Sequence, residues 1–385
     1  MKISEFNTQY PSTQYLRQKA KKRIPKFAFE YLDGGCNEEI NLRKNISDIQ
    51  NIEFIPKYIT QKKSVDLSCQ LFDETYQAPF GIAPVGLQGL IWPKSCQILA
   101  HAAHHHNIPF MLSTVSTSDI ETISKITQGK AWFQLYHPAE QQVTDDILHR
   151  AQIAGIKTLV LLSDVPSFGL RYKDIKNGLS MRPKISFYNF IQILKSPSWA
   201  WNTLMKGKPN FDLLKPYMPS HLSLKRLGEY MNNTFDGKLT PEKIKRIRNQ
   251  WKGNLIVKGI ASEHDIEKCI ELGIDGVIVS NHGGRQIDAG ESSFHSMLRL
   301  IRKYKNNILI MMDGGIRSGV DIARVLACGA SFVFMGRPFM YGVGALGKNG
   351  GNHTISMFKK QLEQVMDQLG CDQVEHLPNF LKQDS

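Results

Sequence analysis

Four apolar runs decide the fold: NLIVKG (254–259), GVIVSN (276–281), ILIMMDGG (308–315) and FVFMGR (332–337). Their residues are mostly β-branched or aliphatic and do not alternate with polar ones, which predicts strands of a parallel sheet buried on both faces. Helical patterns lie before or between them, at TPEKIKRIRNQW (240–251), SEHDIEKCIELG (262–273) and SGVDIARVLACG (318–329). Strands that alternate with helices in this way predict successive βα units.

Four similar runs precede them, at Phe80–Ala83, Pro109–Ser113, Ala131–Tyr136 and Thr158–Asp164. The eight runs begin 22 to 32 residues apart, except for a 96-residue step between the fourth and the fifth. A spacing of that size accommodates a strand, a loop and a crossover helix. Eight such units predict an α/β fold of the closed (β/α)8 TIM-barrel type rather than an open sheet.

The 385 residues are therefore interpreted as one domain with three additions to a barrel over 76–345. Residues 1–75 are expected to form a mostly helical arm, and residues 346–385 a helical C-terminal segment. The long step contains an insertion at about 171–238, which carries 12 Lys and Arg against 4 Asp and Glu and many aromatic residues. It accounts for a net +8 of the chain's +13.

The composition limits the classes of partner and site. A net charge of +13 favours anionic partners such as phosphates, carboxylates or acidic lipids, although we predict no specific nucleic-acid binding. Six cysteines without a C-x-x-C pair suggest neither a zinc site nor a disulfide framework, so we expect a reducing compartment and no metal. The first residues lack the apolar core of a signal peptide, and no apolar run reaches membrane-spanning length, so any membrane contact should be peripheral.

Polar residues follow the strands at their carboxyl ends, where barrels of this type place their active sites. Lys258 ends one strand and would need an anion or an electron-rich carbonyl as a partner. His282, between polar and glycine residues, is a candidate acid or base that Asp164 could orient. Arg171 and Arg285 could hold a carboxylate by paired hydrogen bonds.

The last two strands end in glycine turns that are each followed by an arginine. They read Asp313-Gly314-Gly315 with Arg317, and Gly336-Arg337. This is the usual phosphate site of the fold, where backbone N–H groups and a helix N-terminus receive the anion.

These residues resemble the FMN-dependent α-hydroxy-acid oxidase/dehydrogenase family. The signature is S-N-H-G-G-R-Q (280–286) after an apolar strand, with V-K-G (257–259) about twenty residues earlier. The likeness covers nearly the whole chain, through PKFAFEYLDGG (25–35), IAPVG (82–86), WFQLY (132–136), SDVPSFGLRYKD (163–174), DGGIRSG (313–319) and MGRP (335–338).

The resemblance implies FMN as the cofactor and a role for each matching residue. His282 would be the base, with Asp164 as its partner, and Arg285 and Tyr31 would hold the substrate carboxylate. Arg171 would assist there, Tyr136 would lie by the substrate hydroxyl, and Val115 and Phe168 would line the side-chain pocket. The FMN contacts would be Ala83, Pro84, Val85, Ser113, Gln134, Lys258, Ser280, Asp313, Gly314, Gly315, Arg317, Gly336 and Arg337.

Within the family, GLQGLIWPK (86–94) and NFIQILKSPSWAWNTL (189–204) look more like the membrane-associated L-lactate and mandelate dehydrogenases than the soluble oxidases. This implies oxidation of L-lactate to pyruvate, with a quinone or cytochrome of the respiratory chain as acceptor. It also implies a homotetramer held peripherally at the cytoplasmic face of the membrane through the 171–238 insertion. Whether the base removes the α-proton or the hydroxyl proton cannot be read from the sequence.

Several alternatives stay open at this point. The enzyme could be a soluble oxidase that makes hydrogen peroxide, a mandelate-type dehydrogenase or another FMN barrel such as an isomerase. A basic binding module without catalysis is a further reading, and the insertion could be only a lid. The G-x-G-x-x-G match at 342–347 lacks the βαβ context of a dinucleotide site. His101, His104 and His105 are interpreted as a solvated helix face.

One residue departs from the family pattern. Two positions before Asp164 the family usually has threonine, whose hydroxyl approaches the flavin, and here Leu162 stands. Ser163 should not replace it, because adjacent strand residues face opposite ways.

Overall fold

The structure, a computed structural model, describes residues 6–61, 64–179, 186–207, 209–219, 234–235 and 238–382. Within these ranges, ten strands form two sheets. A small antiparallel hairpin contains β1 (Cys69–Leu71) and β2 (Glu74–Tyr76). The parallel sheet contains β3 (Phe80–Ile82), β4 (Met111–Ser113), β5 (Trp132–Leu135), β6 (Thr158–Leu162), β7 (Asn254–Ile260), β8 (Gly276–Val279), β9 (Leu309–Asp313) and β10 (Val333–Met335).

The parallel sheet is a barrel, which confirms the predicted (β/α)8 fold. Its strands follow the order β3-β10-β9-β8-β7-β6-β5-β4. A parallel bridge between Ile82 and Phe110 joins the two end strands. Each of the eight runs identified in the sequence overlaps one of these strands. Because parallel strands share one direction, their carboxyl ends meet at one rim of the barrel.

Fifteen α-helices surround the barrel or extend from it in the described part of the chain. Three form the arm: α1 (Thr13–Arg23), α2 (Lys26–Asp33) and α3 (Ile40–Gln50). Four follow the early strands or belong to the insertion: α4 (Ser95–His105), α5 (Ile120–Thr127), α6 (Gln141–Ile153) and α7 (Tyr172–Lys176). The remainder are α8 (Phe187–Leu194), α9 (Pro197–Lys206), α10 (Pro241–Gln250), α11 (Glu263–Glu271), α12 (Ser293–Tyr304), α13 (Gly319–Ala327), α14 (Arg337–Leu346) and α15 (Gly350–Leu369).

The β1–β2 hairpin was not anticipated in the arm. It closes one end of the barrel, because Leu71 and Tyr76 pack into the interior cluster that also contains Trp132 and Phe334. The indole N–H of Trp132 donates to the Tyr76 hydroxyl at 3.3 Å. The interior of the barrel is therefore a packed core, and the open end is the carboxyl rim.

The insertion of about 171–238 lies only partly within the described residues. Its described parts include α7, α8, α9 and a short 3-10 turn at Lys215–Tyr217. Residues 180–185, 208, 220–233 and 236–237 fall outside them. Helices α8 and α9 lie beside the carboxyl rim, since the indole of Trp199 donates to the carbonyl of Leu90 at 3.0 Å.

Because Gly315 has no side chain, the arm can pack closely against the rim of the barrel. A Cβ built on Gly315 would lie 1.8 Å from the backbone oxygen of Asn45 in α3, and its φ is +81°. We expect Gly315→Ala to lower the free energy of unfolding by roughly 3 kcal/mol or more, since both clash and backbone strain oppose it. Chemical denaturation of the purified protein measures the change.

Gly273→Ala is the matched control for this substitution. Gly273 has a similar φ of +67°, but a Cβ there would meet nothing within 4 Å. The control should show only the strain of the left-handed backbone, about 1 kcal/mol. Equal losses for the two variants would contradict close docking of the arm.

Candidate active site

A cleft of about 1700 Å³ opens at the carboxyl rim between the barrel, the arm and the insertion. Most of the residues singled out in the sequence line it: Tyr31, Ala83, Pro84, Val85, Val115, Tyr136, Phe168, Arg171, Lys258, His282, Arg285, Asp313, Gly314, Gly315, Arg317, Gly336 and Arg337. Asp164 and Ser280 lie behind this lining and contact it through hydrogen bonds. Ser113 and Gln134 pair in register on the neighbouring strands β4 and β5.

His282 is held by Asp164 in a geometry that fixes its tautomer. The Nδ1 of His282 lies 2.8 Å from Oδ1 of Asp164. Burial alone would raise the pKa of Asp164, but the charge of Lys258 and the hydrogen bonds from His282 and Lys258 outweigh it and lower that pKa to about 2. An ionised carboxylate can only accept a hydrogen bond. Nδ1 therefore carries the hydrogen, and Nε2 is left with a free lone pair.

Lys258 lies between two carboxylates at the centre of the rim. Its Nζ is 3.3 Å from Oδ2 of Asp164 and 3.3 Å from Oδ2 of Asp313, and it donates to Oγ of Ser280 at 2.9 Å. Burial lowers the pKa of Lys258, but the two carboxylates raise it by more than burial lowers it, so the net shift of this pKa is upward. The ammonium group is therefore charged although the side chain is only 3% exposed.

The loop after β8 is locked in place by its neighbours. His282 has a φ of +57°, an uncommon conformation for a residue with a side chain. The amide nitrogen of Asn281 donates to Asn41 at 2.7 Å and to Asn45 at 2.8 Å, which ties the loop to α3. Gln286 donates to the backbone oxygen of Asp164 at 2.9 Å. Such strain, held by surrounding bonds, is a common property of active-site residues.

Two arginines and a tyrosine form a cationic subsite beside His282. The guanidinium carbons of Arg171 and Arg285 lie 5.7 and 5.1 Å from the ring centre of Tyr31. Nη1 of Arg285 donates to the backbone oxygen of Tyr31 at 2.7 Å. This hydrogen bond fixes the position of the Arg285 guanidinium group. Burial, followed by repulsion from Arg171, lowers the pKa of Arg285. Paired guanidinium groups of this kind suit a carboxylate ligand.

Tyr136, which follows β5, lines the same cleft. Burial raises its pKa, and the nearby charge of Asp164 raises it further. The phenol is therefore protonated at neutral pH and is available as a hydrogen-bond donor.

Asp174, which the sequence reasoning missed, also lines the cleft. Its Oδ2 lies 3.0 Å from Nη1 of Arg171 and 4.0 Å from Nη2 of Arg285. The only signal in the sequence was its position three residues after Arg171, where helical residues share a face.

Arg317 and Arg337 also line the cleft, by the glycine turns. Burial and the neighbouring charge of Arg317 lower the pKa of Arg337 to about 10. The Arg337 side chain donates to three backbone oxygens, of Leu32 at 3.0 Å, Gly283 at 2.9 Å and Gly34 at 2.7 Å. It thus joins the arm to the His282 loop. A phosphate here would also meet the N-terminus of α14.

The polar atoms of the cleft fit the flavin expected from the resemblance. Nε2 of Gln134 and Oδ1 of Asp313 are buried without a hydrogen-bond partner in the described structure. Buried polar atoms are normally paired, so a ligand with matching acceptors and donors is expected beside them. The two positive charges of Arg317 and Arg337 match a phosphate dianion, and Lys258 lines the same cleft.

Leu162 lies within the barrel, buried like its neighbours in β6. Oγ of Ser163 instead donates to the backbone oxygen of Lys258 at 2.8 Å. Ser163 therefore bonds the neighbouring strand, which agrees with the expectation that it cannot take the place of the missing threonine.

Helix α8 buries polar side chains and exposes apolar ones, which is the reverse of an ordinary surface helix. It buries Asn189 and Gln192, and Gln192 accepts a hydrogen bond from the backbone N–H of Phe27 at 2.8 Å. Its outer face carries Phe187, which is 78% exposed, and α9 carries Trp201, which is 63% exposed. The inner side of the two helices, with Ile193 and Ala200, lines the cleft.

Among the helices of the described ranges, none combines the length and the apolar character that a membrane span requires.

The comparisons with known proteins agree with this geometry. The family model of FMN-dependent dehydrogenases matches residues 20–383. An L-lactate dehydrogenase of Bartonella tribocorum is 36% identical over 368 residues, 95% of this chain and 96% of that protein. One from Pseudomonas putida is 35% identical with the same coverage. The crystal structure of a monotopic membrane protein, (S)-mandelate dehydrogenase, has a TM-score of 0.91 and 31% identity over 98% of this chain and 100% of that one.

Proposed function

Because this chain belongs to the family of FMN-dependent dehydrogenases and is an FMN-dependent L-2-hydroxy-acid dehydrogenase, we propose that it oxidises L-lactate to pyruvate and delivers the electrons to a membrane quinone or a cytochrome. One observation carries the proposal. A histidine whose tautomer is fixed by an ionised aspartate lies in the same cleft as two arginines that are suited to a carboxylate. That combination matches a substrate with a carboxylate next to the carbon that is oxidised.

The substrate carboxylate binds Arg171 and Arg285, with Tyr31 stacked against both guanidinium groups. Tyr136 donates to the substrate hydroxyl. Nε2 of His282 then removes a proton from the hydroxy acid, and the imidazolium that results is stabilised by Asp164. When bound, FMN would accept the two electrons and the second hydrogen that the hydroxy acid loses on its oxidation to the keto acid. Its contacts would be with Gln134, Lys258 and Asp313, and its phosphate would lie by Arg317 and the glycine turns.

Lactate is favoured over mandelate by the relatives, since the curated proteins with 34–36% identity are called L-lactate dehydrogenases. Val115, which lies against Gly86 at the cleft wall, is the residue expected beside the substrate's side chain. The test is the rate of anaerobic flavin reduction by L-lactate and by (S)-mandelate. We expect a higher kcat/KM for L-lactate, and a preference for mandelate would contradict this assignment.

The membrane is the proposed site of the acceptor, because α8 and α9 turn apolar side chains outwards next to the cleft. Helices with exposed aromatic and aliphatic residues and nearby lysines, here Lys195 and Lys206, suit an anionic lipid interface. The related mandelate dehydrogenase is described as monotopic. We expect the chain to bind peripherally at the cytoplasmic face, and the homotetramer stays a prediction that sedimentation would test.

Replacing Phe187, Phe190 and Trp201 together by serine should weaken binding to vesicles of phosphatidylcholine and phosphatidylglycerol by about 100-fold. None of the three lines the cleft, so reduction by L-lactate in solution should not change. Co-sedimentation with the vesicles measures the binding.

The matched control replaces Tyr58 and Ile59, which are exposed in the arm, by serine. This change removes apolar surface far along the chain from the insertion and should leave vesicle binding intact. If the control lost binding as strongly as the triple variant, α8 and α9 would not be the membrane surface.

A soluble oxidase is the second candidate, since solved mandelate oxidases share the fold. It would form hydrogen peroxide at the rate of lactate consumption in air. The proposed dehydrogenase should instead turn over rapidly only with a quinone analogue or an artificial acceptor.

A further inference from the structure

Asp174 places a third charge in the carboxylate subsite. It lies on α7, one turn after Arg171, and is only 5% exposed. Its Oδ2 forms ion pairs with Arg171 and Arg285. This oxygen nevertheless accepts no hydrogen bond of regular geometry in the described structure. Asp174 therefore acts on the two arginines through its charge more than through directed hydrogen bonds.

The charges of the subsite sum to a single positive charge. Arg171 and Arg285 contribute two, and Asp174 removes one. Unpaired charge is unfavourable in a buried site, so a ligand that neutralises the subsite must carry one negative charge. The neighbouring group of Lys258, Asp164 and Asp313 has one more negative than positive charge, and it also opposes a second negative charge on the ligand.

We propose that Asp174 is a specificity-determining residue, which makes the subsite select a monocarboxylate over a dicarboxylate of the same shape. This inference rests on the proposed function, in which Arg171 and Arg285 bind the substrate carboxylate. Without Asp174 the subsite would carry two positive charges and would suit a dianion. With Asp174 in place, a hydroxy acid that has one carboxylate balances the net charge of the subsite. A hydroxy acid with a second carboxylate near the first leaves an excess negative charge there.

Oxamate and oxalate form a matched pair of probes. Both are planar two-carbon ligands of nearly the same size, but oxamate carries one negative charge at neutral pH and oxalate carries two. Their dissociation constants for the oxidised holoenzyme can be measured by calorimetry, without turnover. We expect the wild-type protein to bind oxamate more tightly than oxalate.

Asp174→Asn should shift the ratio of the two dissociation constants by roughly tenfold or more towards oxalate, because a charge a few ångströms from the ligand is removed. Asp174→Glu keeps the charge and should keep the preference for oxamate. Glu121→Gln is the control, since Glu121 pairs with Arg150 outside the cleft and its loss should leave the ratio unchanged.

The outcomes separate this inference from the proposed function. If the wild-type protein bound neither probe, the carboxylate subsite itself would be wrong. If it bound both and Asp174→Asn weakened both equally, Asp174 would only position the arginines and the inference would fail. If Asp174→Asn did not fold, a loss of the oxamate preference in Asp174→Glu would overturn the inference, and its retention would support it.

Discussion

His282→Asn should slow flavin reduction by L-lactate by about 10⁴-fold while FMN stays bound. The substitution removes the free Nε2 proposed to take the substrate proton, and it leaves Gln134, Lys258 and Arg317, the proposed FMN contacts, in place. Asparagine is the suitable replacement, since His282 has a φ of +57° and asparagine tolerates this backbone conformation better than most residues. Anaerobic stopped-flow absorbance measures the rate.

The control for this variant is its ligand binding. Flavin content and the dissociation constant for oxamate should match those of the wild-type protein, since neither depends on the proton acceptor. Reduction at the wild-type rate would rule out His282 as the base. Loss of flavin together with activity would show that His282 serves the structure of the site instead.

Lys258→Met should lower the free energy of unfolding by about 3–5 kcal/mol and weaken FMN binding. The substitution leaves Asp164 and Asp313 buried and facing each other without the cation that lies 3.3 Å from each. Chemical denaturation, and titration of the variant with FMN, measure the two effects.

The stability loss in Lys258→Met should depend on pH with a defined sign. In the wild-type protein the pKa of Asp164 is lowered to about 2, so this group stabilises the fold above its ordinary pKa of 3.8 and loses that contribution as the pH falls towards 2. Without Lys258 the folded-state pKa of Asp164 rises. The difference between variant and wild type should therefore be large at neutral pH and shrink in acid.

A second substitution tests the cause directly. Asp313→Asn in the Lys258→Met background removes one of the two unpaired carboxylates and should recover part of the lost stability. A double variant less stable than Lys258→Met would contradict the charge-based explanation.

The barrel could be predicted because its strands are short, continuously apolar runs at regular spacing, a pattern that few other folds produce. GVIVSN and ILIMMDGG needed no tertiary information to be assigned to strands. The hairpin could not be predicted in this way. Its strands are three residues each, CQL and ETY, and its turn uses Phe72 at a φ of +53° rather than a glycine or asparagine.

The position of a residue in the cleft could be predicted where that residue belongs to a local motif, as for His282 and Arg285. It was not predictable where the role depends on a distant segment. Arg337 binds carbonyl groups from the arm and from the His282 loop, and Asp174 faces both arginines only because α7 folds over the rim. The exposure of apolar side chains on α8 could not be predicted either, since composition does not say which side of a helix is buried.

The most direct test of the account is an anaerobic titration of the purified yellow protein with L-lactate and with D-lactate. We expect L-lactate to bleach the flavin and to yield one pyruvate per flavin, and D-lactate to leave the spectrum unchanged. A colourless protein, or bleaching by both enantiomers alike, would contradict a site in which His282 and the two arginines bind and orient one L-hydroxy acid.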